Sequence, residues 1–82
     1  MKLTLVTQGK TTTPVVSIGE EFIELSPIVS KTYKGQKRFF VEYPSGTHCY
    51  TSLDVALTTM IQYEEETGTL PFGALKELRS QI

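Results

Sequence analysis

Cysteine and histidine are almost missing from this chain. One of each occurs in 82 residues, His48 and Cys49, side by side in the stretch EYPSGTHCYTSL. A single cysteine cannot bridge within the chain, so no disulfide framework supports the fold, and the expected setting is a reducing compartment, the cytoplasm. No further Cys or His stands at ligand spacing, whereas a zinc site needs about four ligands; neither a metal nor a cofactor is expected. Long apolar runs are also lacking. Nothing approaches the roughly 20 residues of a membrane span, and threonines interrupt the opening MKLTLVTQGK before it could serve as the apolar core of a signal peptide. The two ends read as those of a complete small gene product. Internal repeats and low-complexity tracts are absent. So is a glycine-rich phosphate loop: GKTTT at 9–13 imitates the end of one, but the earlier glycine is missing and Pro14 would break the helix that must follow.

What is present is the composition of an ordinary globular chain, 39% apolar and 21% charged, and the length predicts one domain over residues 1–82. Eight basic and nine acidic residues give a net charge of −1, too little for a general pull toward DNA or anionic membranes. The charges are nonetheless sorted. Residues 31–38 hold Lys31, Lys34, Lys37 and Arg38 without an acid, and residues 52–68 hold Asp54, Glu64, Glu65 and Glu66 without a base.

The pattern predicts strands first and helices after. Lys2–Thr7 alternates, Gly9 and Lys10 suggest a turn before Pro14, and Val15, Val16 and Ile18 read as a second strand ended by Gly19. Glu21–Leu25 reads as a third strand, with a short helix at GEEF as the alternative; Phe22, Ile23 and the early Pro27 favour the strand. Ile28–Tyr33, a turn at KGQK, Arg38–Tyr43, a turn at Pro44-Ser45-Gly46 and Thr47–Thr51 form an antiparallel three-stranded meander. Leu53, Ala56, Leu57, Met60, Ile61 and Glu64 then fall on one helical stripe, predicting a main helix over about 52–66. Thr51 with Asp54 has the form of a capping box, with Ser52 as the rival cap, and Gly68 suits the position just past the helix. Phe72–Ile82 can form a second, short helix with Leu75, Leu78 and Ile82 along one side. The fold class is therefore α+β: a small antiparallel sheet with the main helix packed on one face.

That reading decides the His48–Cys49 question. On a strand, neighbouring side chains point to opposite faces. With a turn of two or four residues at 44–47, Tyr43 faces His48, Val41 faces Tyr50 and Glu42 faces Cys49; a three-residue loop would move Cys49 beside Val41. A thiol catalyst needs a base within hydrogen-bond reach, which adjacent strand residues do not supply. Cys49 reads as a small filler, His48 as a rim residue, and the protein as a non-enzyme.

Two features carry functional expectations. Glu64, Glu65 and Glu66 close the main helix at the end where acids oppose its dipole, at about 0.3–1 kcal/mol each. Together with Asp54 they form the expected contact for a macromolecular partner, a protein with a basic surface, unless the lysines of 31–38 compensate them within the fold. The second feature is KTYKGQKRFF. Here Lys31, Tyr33, Lys34, Lys37, Arg38 and Phe40 interleave basic and aromatic groups, as an alternative nucleic-acid surface requires; a solvated hairpin tip would look the same. In topology the order from 28 to 66 resembles small DNA-binding modules that read DNA with a three-stranded sheet, and equally compact phage-encoded inhibitors. The first expectation is a small cytoplasmic binding protein, an inhibitor or adaptor of phage or mobile-element type, with a nucleic-acid-binding module as the alternative. The Leu75/Leu78/Ile82 stripe or an uncovered sheet edge offers a homodimer contact.

Overall fold

Four two-residue turns lay out the sheet. The computed structural model describes every residue from Met1 to Ile82. It contains strands β1 (Lys2–Gln8), β2 (Thr11–Ile18), β3 (Glu21–Glu24), β4 (Ile28–Tyr33), β5 (Gln36–Tyr43) and β6 (Gly46–Tyr50), then helices α1 (Leu53–Glu66) and α2 (Ala74–Leu78) and a closing 3-10 turn at Arg79–Gln81. All strand pairs are antiparallel. The KGQK turn narrows to Lys34-Gly35, between paired Tyr33 and Gln36. Both turn residues have positive φ, 52° and 78°, the type I′ geometry whose twist matches a hairpin.

The order in the sheet is β1-β2-β4-β5-β6, with β3 also beside β2. β3 and β4 share one flank of β2: Val15–Ile18 pair with Glu21–Glu24, while only Thr11 and Thr12 pair with Val29 and Ile28. The sheet is thus two three-stranded meanders joined by a two-residue ladder, with the Lys10 carbonyl accepting the Ser30 N–H at 2.8 Å beside it.

The second strand begins earlier than its sequence indicates and runs straight through Pro14. Proline is tolerated because its carbonyl accepts the Leu25 N–H at 2.9 Å. N and C=O of a strand residue point the same way, so the missing N–H also faces Leu25, just past the end of β3, and only that one reciprocal bond is forgone.

The β5–β6 register differs from the one expected. Pro44-Ser45 alone forms the turn, so Tyr43 pairs with Gly46, Val41 with His48, Phe39 with Tyr50 and Phe40 with Cys49. The four-residue alternative slides every pair by two. An even slip preserves the pleat, so each residue still faces the side the sequence assigned it.

One side of this sheet holds the core. Val16, Ile28 and Val41 join Leu25 and Ala56, Leu57, Met60 and Ile61 of α1, with Leu70, Ala74 and Leu78 behind them. Burying Leu57, Met60 and Ile61 contributes about 5–9 kcal/mol gross, comparable with the whole net stability of a small domain, about 5–15 kcal/mol. Of the two candidate caps, Ser52 is the one used: its hydroxyl accepts the Val55 N–H at 3.2 Å. At the other end Gly68 takes φ 87°, and its N–H reaches back to the Glu65 carbonyl, as a helix-ending glycine does.

The C-terminal stripe turns inward. Leu78 is fully buried, and Leu75 and Ile82 pack against the core. Gln81 lines up with the start of β1: its Oε1 accepts the Leu3 N–H at 2.7 Å and its Nε2 donates to the Met1 carbonyl at 3.0 Å. The Met1 ammonium meets Glu77 at 2.7 Å. The edge of β1 is therefore partly covered, while the outer edge of β6 has no strand beside it.

Candidate functional site: the open face of the sheet

Because the register places facing residues on a common side, the opposite face of the sheet can be read off directly. Val6 of β1, Val15 of β2, Phe22 of β3, Val29, Lys31 and Tyr33 of β4, Arg38, Phe40 and Glu42 of β5, and Thr47 and Cys49 of β6 lie on it. No residue of this face is buried. Phe22 is 75% exposed, Tyr33 55% and Val6 52%. Antiparallel sheets often leave one face to water, but that face is then polar; here Phe22 and Tyr33 stand about 33 Å apart along the strand direction, with Val6, Val15, Val29 and Phe40 on the same face between them. A shallow groove of about 480 Å³ crosses this face between the bend at Ser26 and Pro27 and the strand residues Val29, Lys31, Phe40, Glu42 and Thr47.

The basic-aromatic stretch is divided by the pleat. Lys31, Tyr33, Arg38 and Phe40 share the open face, Lys34 occupies the tip, and Lys37 lies on the helix side with Phe39. The Lys31 ammonium is 5.6 Å from the Phe40 ring centre, Lys34 is 5.4 Å from Tyr33, and Lys37 is 5.6 Å from Phe39. Lys31 and Arg38 are directly paired. Like charges in such a pair destabilise a hairpin by roughly 0.2–1 kcal/mol, and their heads diverge: Arg38 donates to the Lys37 carbonyl at 3.1 Å and to Gln36.

The acidic end lies elsewhere. Tyr43 and Tyr63 rings are 5.0 Å apart, which places the last turn of α1 beside the far end of β5, about 23 Å along the strand from the hairpin tip. The lysines of 31–38 therefore do not neutralise Glu64–Glu66, and the only salt bridge is Met1–Glu77. Instead the Glu65 carboxylate accepts the Leu75 N–H at 2.9 Å, and Glu66 accepts a hydrogen bond from the Gln62 amide at 3.2 Å. Glu64 stands near Tyr43, whose phenol is held well above its usual range by burial first, then by the hydrogen bond it shares with Tyr50 and by the neighbouring charges. Asp54 sits in the first turn of α1, where an acid complements the helix dipole. Lys10, Lys31, Lys34, Lys37 and Arg38 thus gather at one end. Glu20, Glu21, Glu24 and the acidic helix terminus gather toward the other, along a long axis of 41 Å.

His48 and Cys49 part to opposite faces. His48 turns to the helix side, where its Nε2 lies 3.2 Å from the Ser45 hydroxyl and its ring stands edge-on to Tyr43 at 4.8 Å. Sequence reasoning overlooked Ser45 as the partner of His48, although the turn between them is short. A serine beside an imidazole is the beginning of a nucleophile–base pair, but no carboxylate orients the other ring nitrogen. Cys49 is exposed on the open face, opposite Phe40. No group of three His, Cys, Asp or Glu side chains could hold a metal, and no helix is long and apolar enough to cross a membrane. Phe22 and Phe72, the latter 98% exposed, were also missed. Phe22 stands apart from any basic residue in sequence, and Phe72 was assigned to the second helix.

No protein-family model, curated protein or solved structure matches this chain.

Proposed function

We propose that this protein is a non-enzymatic binding protein that docks on a larger macromolecule through the open face of its sheet. The observation that supports the reading is the exposure of Phe22, Tyr33 and Val6 on a face that neither helix covers. A small domain gains nothing for its own stability from large apolar groups left in water. The acidic helix end, the first candidate from the sequence, becomes secondary, because Glu65 is engaged by Leu75 and Glu66 by Gln62 within the fold; Glu64 and Asp54 remain to meet a basic rim on the partner. A second copy is the less favoured occupant, since Leu75, Leu78 and Ile82 serve the core. An inhibitor or adaptor is the concrete form of this activity, and a lone exposed thiol at Cys49 suits the cytoplasm.

The test is capture from a lysate of the native host, with and without nuclease, comparing the wild type with a Phe22→Ser/Tyr33→Ser double variant. Wild-type protein should retain a partner that the variant loses, and Glu66→Gln should keep it. A variant that retains every partner of the wild type overturns the reading.

A further inference from the structure

Resting on that docking reading, we propose that the macromolecule on the open face is a nucleic acid, bound as a single strand along the β4–β5 hairpin. Same-face residues on a strand recur at about 6.6 Å, twice the rise per residue. Along this hairpin they alternate in kind: Phe40, then Lys31 beside Arg38, then Tyr33, then Lys34 at the tip. Aromatic faces stack on unpaired bases while the cations between them meet phosphates, so alternation at this spacing matches a strand laid lengthwise. The groove floored by Val29 and Phe40 continues the track onto the sheet. A duplex would hide its bases from flat aromatic platforms and has no use for them.

Two local features support an external role for the charge. Lys31 and Arg38 face each other directly, where opposite charges would favour the hairpin. Lys34 holds φ 52°, a left-handed conformation that Asn or Gly adopts at less cost. Both positions keep a cation where the fold itself would prefer another residue. Of the acids, Asp54 lies at this end and Glu42 lines the groove beside Phe40; the others lie toward the opposite end, so the net charge of −1 conceals a locally positive hairpin tip. Lys37, on the other face, serves as an internal control.

The experiment is fluorescence anisotropy with a labelled oligothymidine and a duplex of equal length, at about 50 and 200 mM salt. Three phosphate contacts, from Lys31, Lys34 and Arg38, give a log–log salt slope near −2 for a single strand, a loss of roughly 20-fold across that range. Tyr33→Ala and Phe40→Ala should each weaken binding between about 5- and 150-fold, and Lys37→Ala should weaken it least among the lysines. Arg38→Glu should abolish binding while raising the thermal midpoint, because it creates an ion pair with Lys31; loss of binding in a more stable protein excludes misfolding as the cause. Alkylation of Cys49, opposite Phe40, should slow when the oligonucleotide is present. Absence of binding at the lower salt, equal or tighter binding of duplex, or indifference to Tyr33→Ala and Phe40→Ala overturns this inference. If oligonucleotide fails to bind but Phe22→Ser/Tyr33→Ser still loses a protein partner, the docking reading survives and the partner is a protein.

Discussion

The carboxylate of Glu65, in the last turn of α1, accepts the backbone N–H of Leu75 in the first turn of α2 at 2.9 Å. One of three acids at an unfavourable helix end is thereby explained: it supplies from a distance the acceptor that Gly73, which precedes α2, cannot offer through a side chain. The three glutamates should consequently respond differently to substitution. Glu65→Ala should destabilise the protein by about 1–2 kcal/mol, the scale of a lost hydrogen bond to a charged acceptor less the relief of the dipole. Glu66→Ala should be neutral or slightly stabilising. Urea denaturation of both variants measures the difference, and equal effects would remove the assignment.

The choice between neighbouring hydroxyls at the start of α1 is equally measurable. Ser52→Ala should cost about 1 kcal/mol, as loss of an N-cap does, while Thr51→Ala should change stability by less than half of that. A larger loss at Thr51 would mean that the helix starts one residue earlier in solution.

Tyr43 makes the protein sensitive to alkali. Its folded phenol ionises above its unfolded value near 10, so the native state holds that proton more tightly. The associated stability is complete below about pH 10 and declines as pH rises toward the folded value. Wild-type protein should lose stability through this range, and Tyr43→Phe should flatten the loss, as followed by denaturation at a series of alkaline pH values. A tyrosinate absorbance titration should show one phenol ionising later than the others.

Cys49 should prove dispensable to the fold. It is exposed, has no disulfide partner and shares no face with His48. Cys49→Ser should leave the free energy of unfolding within about 0.5 kcal/mol of wild type, as surface substitutions usually do, and should leave partner binding intact. Loss of function in this variant would return the thiol to the candidate site.

The α+β class, the meander from Ile28 to Tyr50, the stripe of α1 and the separation of His48 from Cys49 were all legible, because each depends on a period along the chain. Positions decided across the chain were not. Pro14 looked like a boundary because its own valence forbids a ladder bond; only the break between β3 and β4 makes it acceptable within β2. The Pro44-Ser45 turn was ambiguous because sequence fixes the parity of a hairpin more firmly than its length. The candidate surfaces followed the same division. KTYKGQKRFF was visible as a mixture, but its sorting into Lys31, Tyr33, Arg38 and Phe40 against Lys37 follows from the pleat. Glu64–Glu66 stood out as a charge run, whereas the Glu65–Leu75 bond joins residues ten apart across a loop.

The join between the two meanders has a dynamic consequence. Only Thr11 and Thr12 pair with β4, whereas each neighbouring strand pair within a meander is four or more residues long. Cooperative opening follows the weakest set of backbone bonds, so the sheet should yield first along this line, as two foldons separating. In native-state hydrogen exchange the amide of Ser30, which bridges the halves by a single bond to Lys10, should exchange ahead of those inside β5. The open face spans both foldons, and a ligand laid across the line from Val15 to Val29 would act as a splint, slowing exchange at residues it never touches.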